Sequence, residues 1–85
     1  MPRFFFHLYD DIVARDEEGV ELADIEAARR TAMFGVRAMI CDQVTKGHLH
    51  LDHRLEVEDE DGKRVFDLQF GDAIEIEPSS EVRGT

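Results

Sequence analysis

Residues 24–46 read DIEAARRTAMFGVRAMICDQVTK and form the longest amphipathic segment of the chain. At about 100° per residue, small and branched apolar side chains recur on one side, as in a helix that faces a core. Asp24 predicts the N-terminal cap, and Lys46 followed by Gly47 predicts the end, because glycine readily adopts the left-handed conformation. The residues predicted to face the core are Ile25, Ala28, Ala32, Gly35, Val36, Met39 and Ile40, with Gln43 at the end.

The centre of this core-facing side is small, because it contains Ala28, Ala32 and Gly35. A glycine inside a helix costs about 1 kcal/mol relative to alanine, so we expect close packing against Gly35 as compensation. The bulky partners predicted for this groove are phenylalanine side chains from elsewhere in the chain.

The opposite side of the predicted helix also contains apolar residues, which need a covering segment or a partner to leave water. The helix would span roughly 35 Å and a six-residue strand only about 20 Å, so one small sheet cannot cover the whole helix. The alternatives are self-association through this side and coverage by C-terminal residues. The predicted interface residues are Arg30, Phe34, Arg37, Ala38 and Cys41.

Size and composition predict one globular domain. The chain has 85 residues, of which 42% are hydrophobic, enough for a single modest core. We expect this domain to span residues 1–77 and to be followed by a flexible tail at residues 78–85. The absence of an apolar run of about 18 residues, and of a secretory signal, predicts a cytoplasmic protein without a membrane segment.

The charge and the cysteine count bound the partners and the compartment. A formal net charge of −10 repels the phosphate backbone, so nucleic acid is not an expected partner, whereas a basic protein is compatible with it. A single cysteine cannot form an intramolecular disulfide and fits a reducing compartment.

Residues 3–9 (RFFFHLY) predict the first strand, because aromatic and branched side chains favour extended structure. Residues 12–14 are a candidate for a short second strand after a turn at residues 10–11, and residues 16–19 (DEEG) predict an acidic turn. Alternation along the first strand separates two sets of side chains. Phe4, Phe6 and Leu8 are predicted to face the helix, and Phe5, His7 and Tyr9 to lie on a partly exposed face.

Asp61-Gly62 is a strong β-hairpin signal between residues 54–59 and the strand after it. A two-residue loop would place apolar residues opposite each other, with acidic residues facing on the outer side. Residues 70–77 suit either a helical turn or a strand. The cross-strand pairs that this loop predicts are Val57 with Phe66, Leu55 with Leu68 and Glu56 with Asp67.

Residues 48–53 read His-Leu-His-Leu-Asp-His, which resembles the metal-binding signature of the metallo-β-lactamase superfamily. Imidazole and carboxylate groups are suitable ligands for zinc or a similar divalent metal. That superfamily has a much larger fold, so a hydrolase is less favoured than weak metal binding. A polar connector with Leu49 and Leu51 turned inward is favoured over both. The candidate metal ligands are His48, His50, Asp52 and His53.

Three segments together resemble a bacterial family of small, acidic, single-domain proteins of unknown function. The resemblance extends over about residues 2–77, and none of its motifs is catalytic. It implies structural roles for His7, Gly19 and Asp52 and makes the three histidines at 48, 50 and 53 particular to this chain. The segments are Met1–His7 (MPRFFFH), Asp16–Leu22 (DEEGVEL) and Arg54–Val57 (RLEV) with Asp59 and Asp61-Gly62 after it.

These observations predict an α+β domain with a small, mostly antiparallel sheet of three to four strands and one long helix packed across it. The expected function is a non-enzymatic interaction or regulatory module that acts as a homodimer, with an unidentified protein as a further possible partner and no cofactor. The alternative is a metal-binding protein or metal-dependent hydrolase that uses His48, His50 and His53. A peptide or ligand site on the strand face of Phe5, His7 and Tyr9 is a third hypothesis.

Overall fold

The computed structural model describes residues 1–77, in which one helix lies across one face of an antiparallel sheet. The α+β class is confirmed, and the sheet has five strands, not the predicted three or four. The predicted tail, residues 78–85, lies outside the described residues. The elements are β1 (Arg3–Tyr9), β2 (Val13–Ala14), β3 (Val20–Glu21), α1 (Ile25–Thr45), β4 (Arg54–Glu58), β5 (Arg64–Gln69) and a 3-10 helix at Phe70–Asp72.

Helix α1 begins and ends where the capping residues predict. The Asp24 carboxylate accepts a hydrogen bond of 2.9 Å from the backbone N–H of Ala27 and so satisfies one free amide of the first turn. At the other end, Gly47 has a φ of 90°, and its N–H donates to the Val44 carbonyl at 3.0 Å. The left-handed glycine therefore turns the chain out of the helix.

Strand β1 lies inside the sheet. It pairs with β4 on one side and with two short strands on the other. On that second side, β2 pairs with the end of β1, and β3 pairs with its beginning. Residues 15–19 connect these two short strands and therefore pass beside the middle of β1. The predicted acidic turn is confirmed here, whereas β3 was not predicted, because two residues are too few to show alternation.

The β4–β5 hairpin has the predicted apolar pairs, Val57 with Phe66 and Leu55 with Leu68, but its loop has three residues, not two. The Asp59 N–H donates to the Lys63 carbonyl at 2.9 Å, so the loop consists of residues 60–62. The Asp59 carboxylate accepts from two N–H groups of this turn, and the glycine at its end has a φ of 79°. A register shift follows between Val57 and Glu58, as is common after such loops.

The core lies between the helix and the inner face of the sheet. The helix contributes Ala28, Ala32, Val36 and Ile40, which follow one another at intervals of four residues. Rows at this spacing are inclined by about 26° to the helix axis, so the buried contact runs obliquely along the surface of the helix. The other buried apolar residues are Phe4, Leu55, Val57, Phe70 and Ala73, with Phe6, Leu8, Leu49, Met39 and Leu68 among those packed against them.

Two residues predicted to face the core do not pack there. Ile25 is 44% exposed, and a Cβ atom added to Gly35 would meet no atom of another element within 4 Å. Because the buried row is inclined, it leaves Ile25 beyond one end of the contact and Gly35 to one side of it. The prediction that close packing compensates for Gly35 is therefore wrong.

The C-terminal segment forms a helical turn, which decides between the two alternatives for residues 70–77. Phe70 and Ala73 are buried, and the Arg37 Nε donates to the Ala73 carbonyl at 2.7 Å. The Phe70 N–H donates to the His53 carbonyl at 2.8 Å. The segment therefore lies against one part of the helix, and within residues 1–77 it leaves Phe34 uncovered.

Candidate functional site

The outer side of α1 is exposed, as predicted. Phe34 is 78% exposed, a large value for a phenylalanine in a small globular domain. Arg37 is tied to the C-terminal turn by its Nε, so only part of its guanidinium group is available to other molecules. The five predicted interface residues, all exposed, are Arg30, Phe34, Arg37, Ala38 and Cys41.

An apolar cleft adjoins this exposed side. It has a volume of about 330 Å³ and lies between α1 and the edge of the sheet near β2. Its existence follows from Gly35, which has no side chain to fill the space beside the helix. Because Gly35 follows Phe34 in the chain, the cleft and the exposed phenylalanine lie on adjoining sides of one helix. The apolar residues around it include Phe6, Leu8, Ala32, Met39 and Leu55.

A second cleft, of about 610 Å³, lies where the start of α1 meets the β4–β5 turn. Its apolar lining includes Ile25, which explains the exposure of that residue. Two of the acidic residues at its rim, Asp24 and Asp59, are already used as capping groups. The acidic lining residues are Asp24, Glu26, Asp59, Glu60 and Asp61.

His7 is buried on the outer face of the sheet, where the sequence predicts a partly exposed residue. It is only 2% exposed, because residues 15–19 pass over it. The Asp16 N–H donates to His7 Nδ1 at 3.0 Å, and His7 Nε2 lies 3.1 Å from Glu58 Oε1. Since Nδ1 accepts, the proton of the neutral ring is on Nε2 and points at the carboxylate. Both ring nitrogens are thus occupied by structural bonds.

The Asp16 carboxylate fixes the loop that covers His7. It accepts hydrogen bonds of 3.1, 3.2 and 3.1 Å from the backbone N–H groups of Phe6, Glu18 and Gly19. Burial raises the pKa of Asp16, but the hydrogen bonds from the backbone N–H groups of Gly19, Phe6 and Glu18 outweigh it, so the pKa lies below its ordinary value. This carboxylate therefore connects the loop to β1 while it is ionised.

Gly19 closes the same loop and is required there. Its φ is 73°, and an added Cβ would lie 2.8 Å from Arg3 Cγ and 2.9 Å from Phe5 Cε2. Both the left-handed backbone and the close approach of β1 exclude a larger residue. The structural roles that the family resemblance implies for His7 and Gly19 are therefore explained by direct contacts.

Glu56 is the centre of a charged network on the outer sheet face. It is 9% exposed and accepts from Arg54 at 2.9 Å and from Arg64 at 3.4 Å. The bond from Arg54 lowers the pKa of Glu56, burial opposes this, and the charges of both arginines and a bond from Tyr9 add to the lowering. Arg64 also lies 3.8 Å from Asp67, so the acidic pair predicted for this hairpin is neutralised.

Among the described residues, no buried side-chain nitrogen or oxygen lacks a hydrogen-bond partner. The buried polar side-chain atoms of the outer sheet face are therefore bonded within the chain, and the Arg54 guanidinium also lies 4.5 Å from the centre of the Tyr9 ring. A cleft of about 340 Å³, lined in part by Phe5 and His7, lies on this face, so the hypothesis of a peptide or ligand site there stays a prediction. The sequence did not indicate the network around Glu56, because its members belong to three separate strands, β1, β4 and β5.

The histidine-containing connector is fixed by Gln43 at the end of α1. The His48 N–H donates to the Gln43 carbonyl at 3.0 Å, and the His50 N–H donates to the Gln43 side-chain oxygen at 2.9 Å. Gln43 Nε2 also lies 3.5 Å from His53 Nδ1. On the other side, the Leu51 carbonyl accepts from the Gly71 N–H at 3.0 Å. The backbone of this connector is thus bonded at both sides.

Three of the four candidate metal ligands lie close together, and His48 does not belong to the group. Ligand atoms of His50, Asp52 and His53 all lie within 4.8 Å of one another. The rings of His50 and His53 are stacked with centres 4.7 Å apart, whereas His48 is outside this group, with its ring 5.0 Å from His50. His53 is half-buried and contacts the Phe70 ring edge-on at 5.6 Å.

The connector hypothesis needs correction at two side chains. Leu49 packs against the core as predicted, but Leu51 is 39% exposed. His53 was expected to point outward and instead lies half-buried beside Phe70. Alternation fails here because residues 48–53 form a turn and not a strand.

Within residues 1–77, these features define a class of protein: a small α+β domain whose buried polar side chains are bonded internally and whose helix has an exposed apolar side. The chain belongs to the family described as Domain of unknown function (DUF6894), which matches residues 3–71, from the start of β1 into the 3-10 helix. The resemblance to a family of unknown function is thereby confirmed. No curated protein and no solved structure matches the chain. Within residues 1–77, no helix has the length and apolar character to cross a bilayer.

Proposed function

We propose that this protein is a non-enzymatic interaction module that acts as a homodimer through the outer side of α1. The observation that supports the proposal is the 78% exposure of Phe34 beside an apolar cleft of about 330 Å³ on the same helix. A regulatory role would then depend on the association of two copies or on an additional protein partner.

The protruding side chain and the cleft are complementary within one chain. In a two-fold symmetric dimer the same surface of each copy meets its equivalent, so Phe34 of one copy can enter the cleft beside Gly35 of the other. Burying a phenylalanine side chain contributes about 1.5–3 kcal/mol, and the symmetry doubles this contribution. Exposed small residues such as Ala38 allow the two helices to approach.

Charge limits how the two copies meet. Each chain has a formal net charge of −10, so two copies repel each other at long range. The outer side of α1 is the favourable place for contact, because Arg30 and part of Arg37 are exposed there. These arginines reduce the local repulsion and can pair with carboxylates of the other copy.

Multi-angle light scattering of wild type and of Phe34→Glu tests the proposal. We expect wild type at twice the protomer mass of 9.8 kDa and Phe34→Glu at the protomer mass. Ile25→Glu is the matched control, since Ile25 is 44% exposed on the same helix but lies about 180° around its axis from Phe34, and the charge change is identical. It should remain dimeric.

Gly35→Leu is a second, independent variant. A Cβ at this position meets nothing within 4 Å among residues 1–77, so the variant should fold while its side chain occupies the cleft. We expect it to be monomeric, with a far-ultraviolet circular dichroism spectrum like that of wild type. The proposal would be contradicted by a monomeric wild type, or by a dimer that persists in both Phe34→Glu and Gly35→Leu.

A further inference from the structure

We propose that His50, Asp52 and His53 form a binding site for a divalent transition metal of the zinc type. The site is separate from the proposed dimer surface and adds a second property to the protein. It depends on the approach of two imidazoles and one carboxylate, whose ligand atoms all lie within 4.8 Å of one another.

The ligand set has the chemistry that such an ion requires. Zinc binds histidine nitrogen and carboxylate oxygen at about 2.0–2.2 Å, and sites with three protein ligands leave a position for water or another small ligand. Ligand atoms around one tetrahedral zinc ion lie about 3.4 Å apart, so no pair of these ligand atoms has to approach by more than about 1.4 Å. His50 and Asp52 are both exposed, so their side chains can rotate by this amount without disturbing packing.

The backbone that bears these ligands is already in place. Gln43 accepts from the His50 N–H at 2.9 Å, and the His53 carbonyl accepts from the Phe70 N–H at 2.8 Å. His53 is half-buried against the Phe70 ring, which restricts its orientation. Metal binding therefore orders only side chains, and such preorganisation lowers the cost of binding.

The surroundings favour a cation. The chain has a formal net charge of −10, and Asp52 adds a carboxylate beside the two imidazoles stacked at 4.7 Å. The negative charge of the whole chain concentrates cations near its surface, and the Asp52 carboxylate attracts a cation placed between these groups. His48 lies outside the group of three, so it is expected to contribute little.

Isothermal titration of the full chain without a histidine tag, with zinc chloride as the probe, tests the site. We expect one zinc ion per chain. His50→Ala and Asp52→Asn should each weaken binding by about 100-fold or more, since even the loss of outer-shell partners costs 10–100-fold. His48→Ala is the matched control, because it removes an exposed imidazole from the same connector and should change the affinity much less.

Three results would overturn the site: no saturable binding, binding that His50→Ala leaves unchanged, or a loss in His48→Ala as large as that in His50→Ala. The last result would mean that any two surface imidazoles suffice. Circular dichroism of each variant confirms folding. Phe34→Glu should bind zinc like wild type, so failure of the dimer and failure of the metal site are distinguishable.

Discussion

At the scale of single residues, Gly19 and Gly35 show opposite uses of the same residue type. Gly19 has a φ of 73°, and β1 approaches it so closely that an added Cβ would lie 2.8 Å from Arg3 Cγ. Gly35 has ordinary helical geometry and open space beside it. The first glycine is required by the fold of the protomer. The second weakens the helix and leaves a cleft, which the proposed dimer would use.

Replacement of each glycine by alanine should therefore change stability in opposite directions. Gly35→Ala should raise the free energy of unfolding by about 0.5–1 kcal/mol, because alanine is the better helix former and meets no neighbour. Gly19→Ala should lower it by about 2–4 kcal/mol through backbone strain and overpacking. Urea denaturation in the Phe34→Glu background removes any contribution from association. A destabilised Gly35→Ala would contradict the open space seen beside the helix.

At the scale of elements, residues 15–19 act as a strap across the middle of β1. The strap is short and mostly exposed. It is held against β1 chiefly by hydrogen bonds that the Asp16 carboxylate accepts from backbone N–H groups, including those of Phe6 and Gly19. It completes the edge between β2 and β3 and buries His7. One ionised side chain thus connects two strands that are too short to be stable alone.

The strap should make stability depend on pH. The pKa of Asp16 in the folded state lies below its ordinary value of 3.8, so its contribution is complete above the unfolded value and is lost as the pH falls through the folded value. Asp16→Asn should lower the free energy of unfolding by about 2 kcal/mol at neutral pH, because charged hydrogen bonds are lost. The difference from wild type should shrink below pH 3.8.

Urea denaturation of both proteins between neutral and acidic pH measures this difference. Glu17→Gln removes the same charge from an exposed neighbouring residue and serves as the control. A difference between wild type and Asp16→Asn that stays constant across the range would show that the carboxylate acts through shape and not through its charge.

At the scale of the whole molecule, acidic charge and an uncovered apolar helix side oppose each other. A net charge of −10 on each copy disfavours association, while the exposed Phe34 and its neighbouring cleft favour it. Which effect dominates depends on ionic strength. The Debye length is about 30 Å at 0.01 M salt and about 8 Å at 0.15 M, so salt screens repulsion between whole chains and leaves apolar contact unaffected.

The proposed dimer should therefore become tighter as salt is added. We expect its dissociation constant, measured by sedimentation equilibrium, to fall between about 0.01 and 0.15 M sodium chloride, because the repulsion is screened over this range. A dimer that weakens with salt would instead indicate that ion pairs of Arg30 and Arg37 dominate the contact.

Local periodicity was sufficient to predict α1, its caps, β1 and the apolar pairs of the hairpin. These features repeat every 3.6 or 2 residues, and the caps lie within one turn of the helix, so neighbouring residues specify them. The exposed position of Phe34 followed from the same periodicity. The motif at residues 48–53 was visible in the sequence for a related reason, since its ligand types are adjacent in the chain.

Contacts between distant segments decided the rest. His7 is buried because the strap covers it. The negative charge of Glu56 is compensated because Arg54, Arg64 and Tyr9 all lie beside its carboxylate. Gly35 lies beside open space because the buried row of α1, residues 28, 32, 36 and 40, is inclined to the helix axis and passes to one side of it. Periodicity specifies the direction of a side chain, but only the folded chain determines which distant segment, if any, fills the space in front of it.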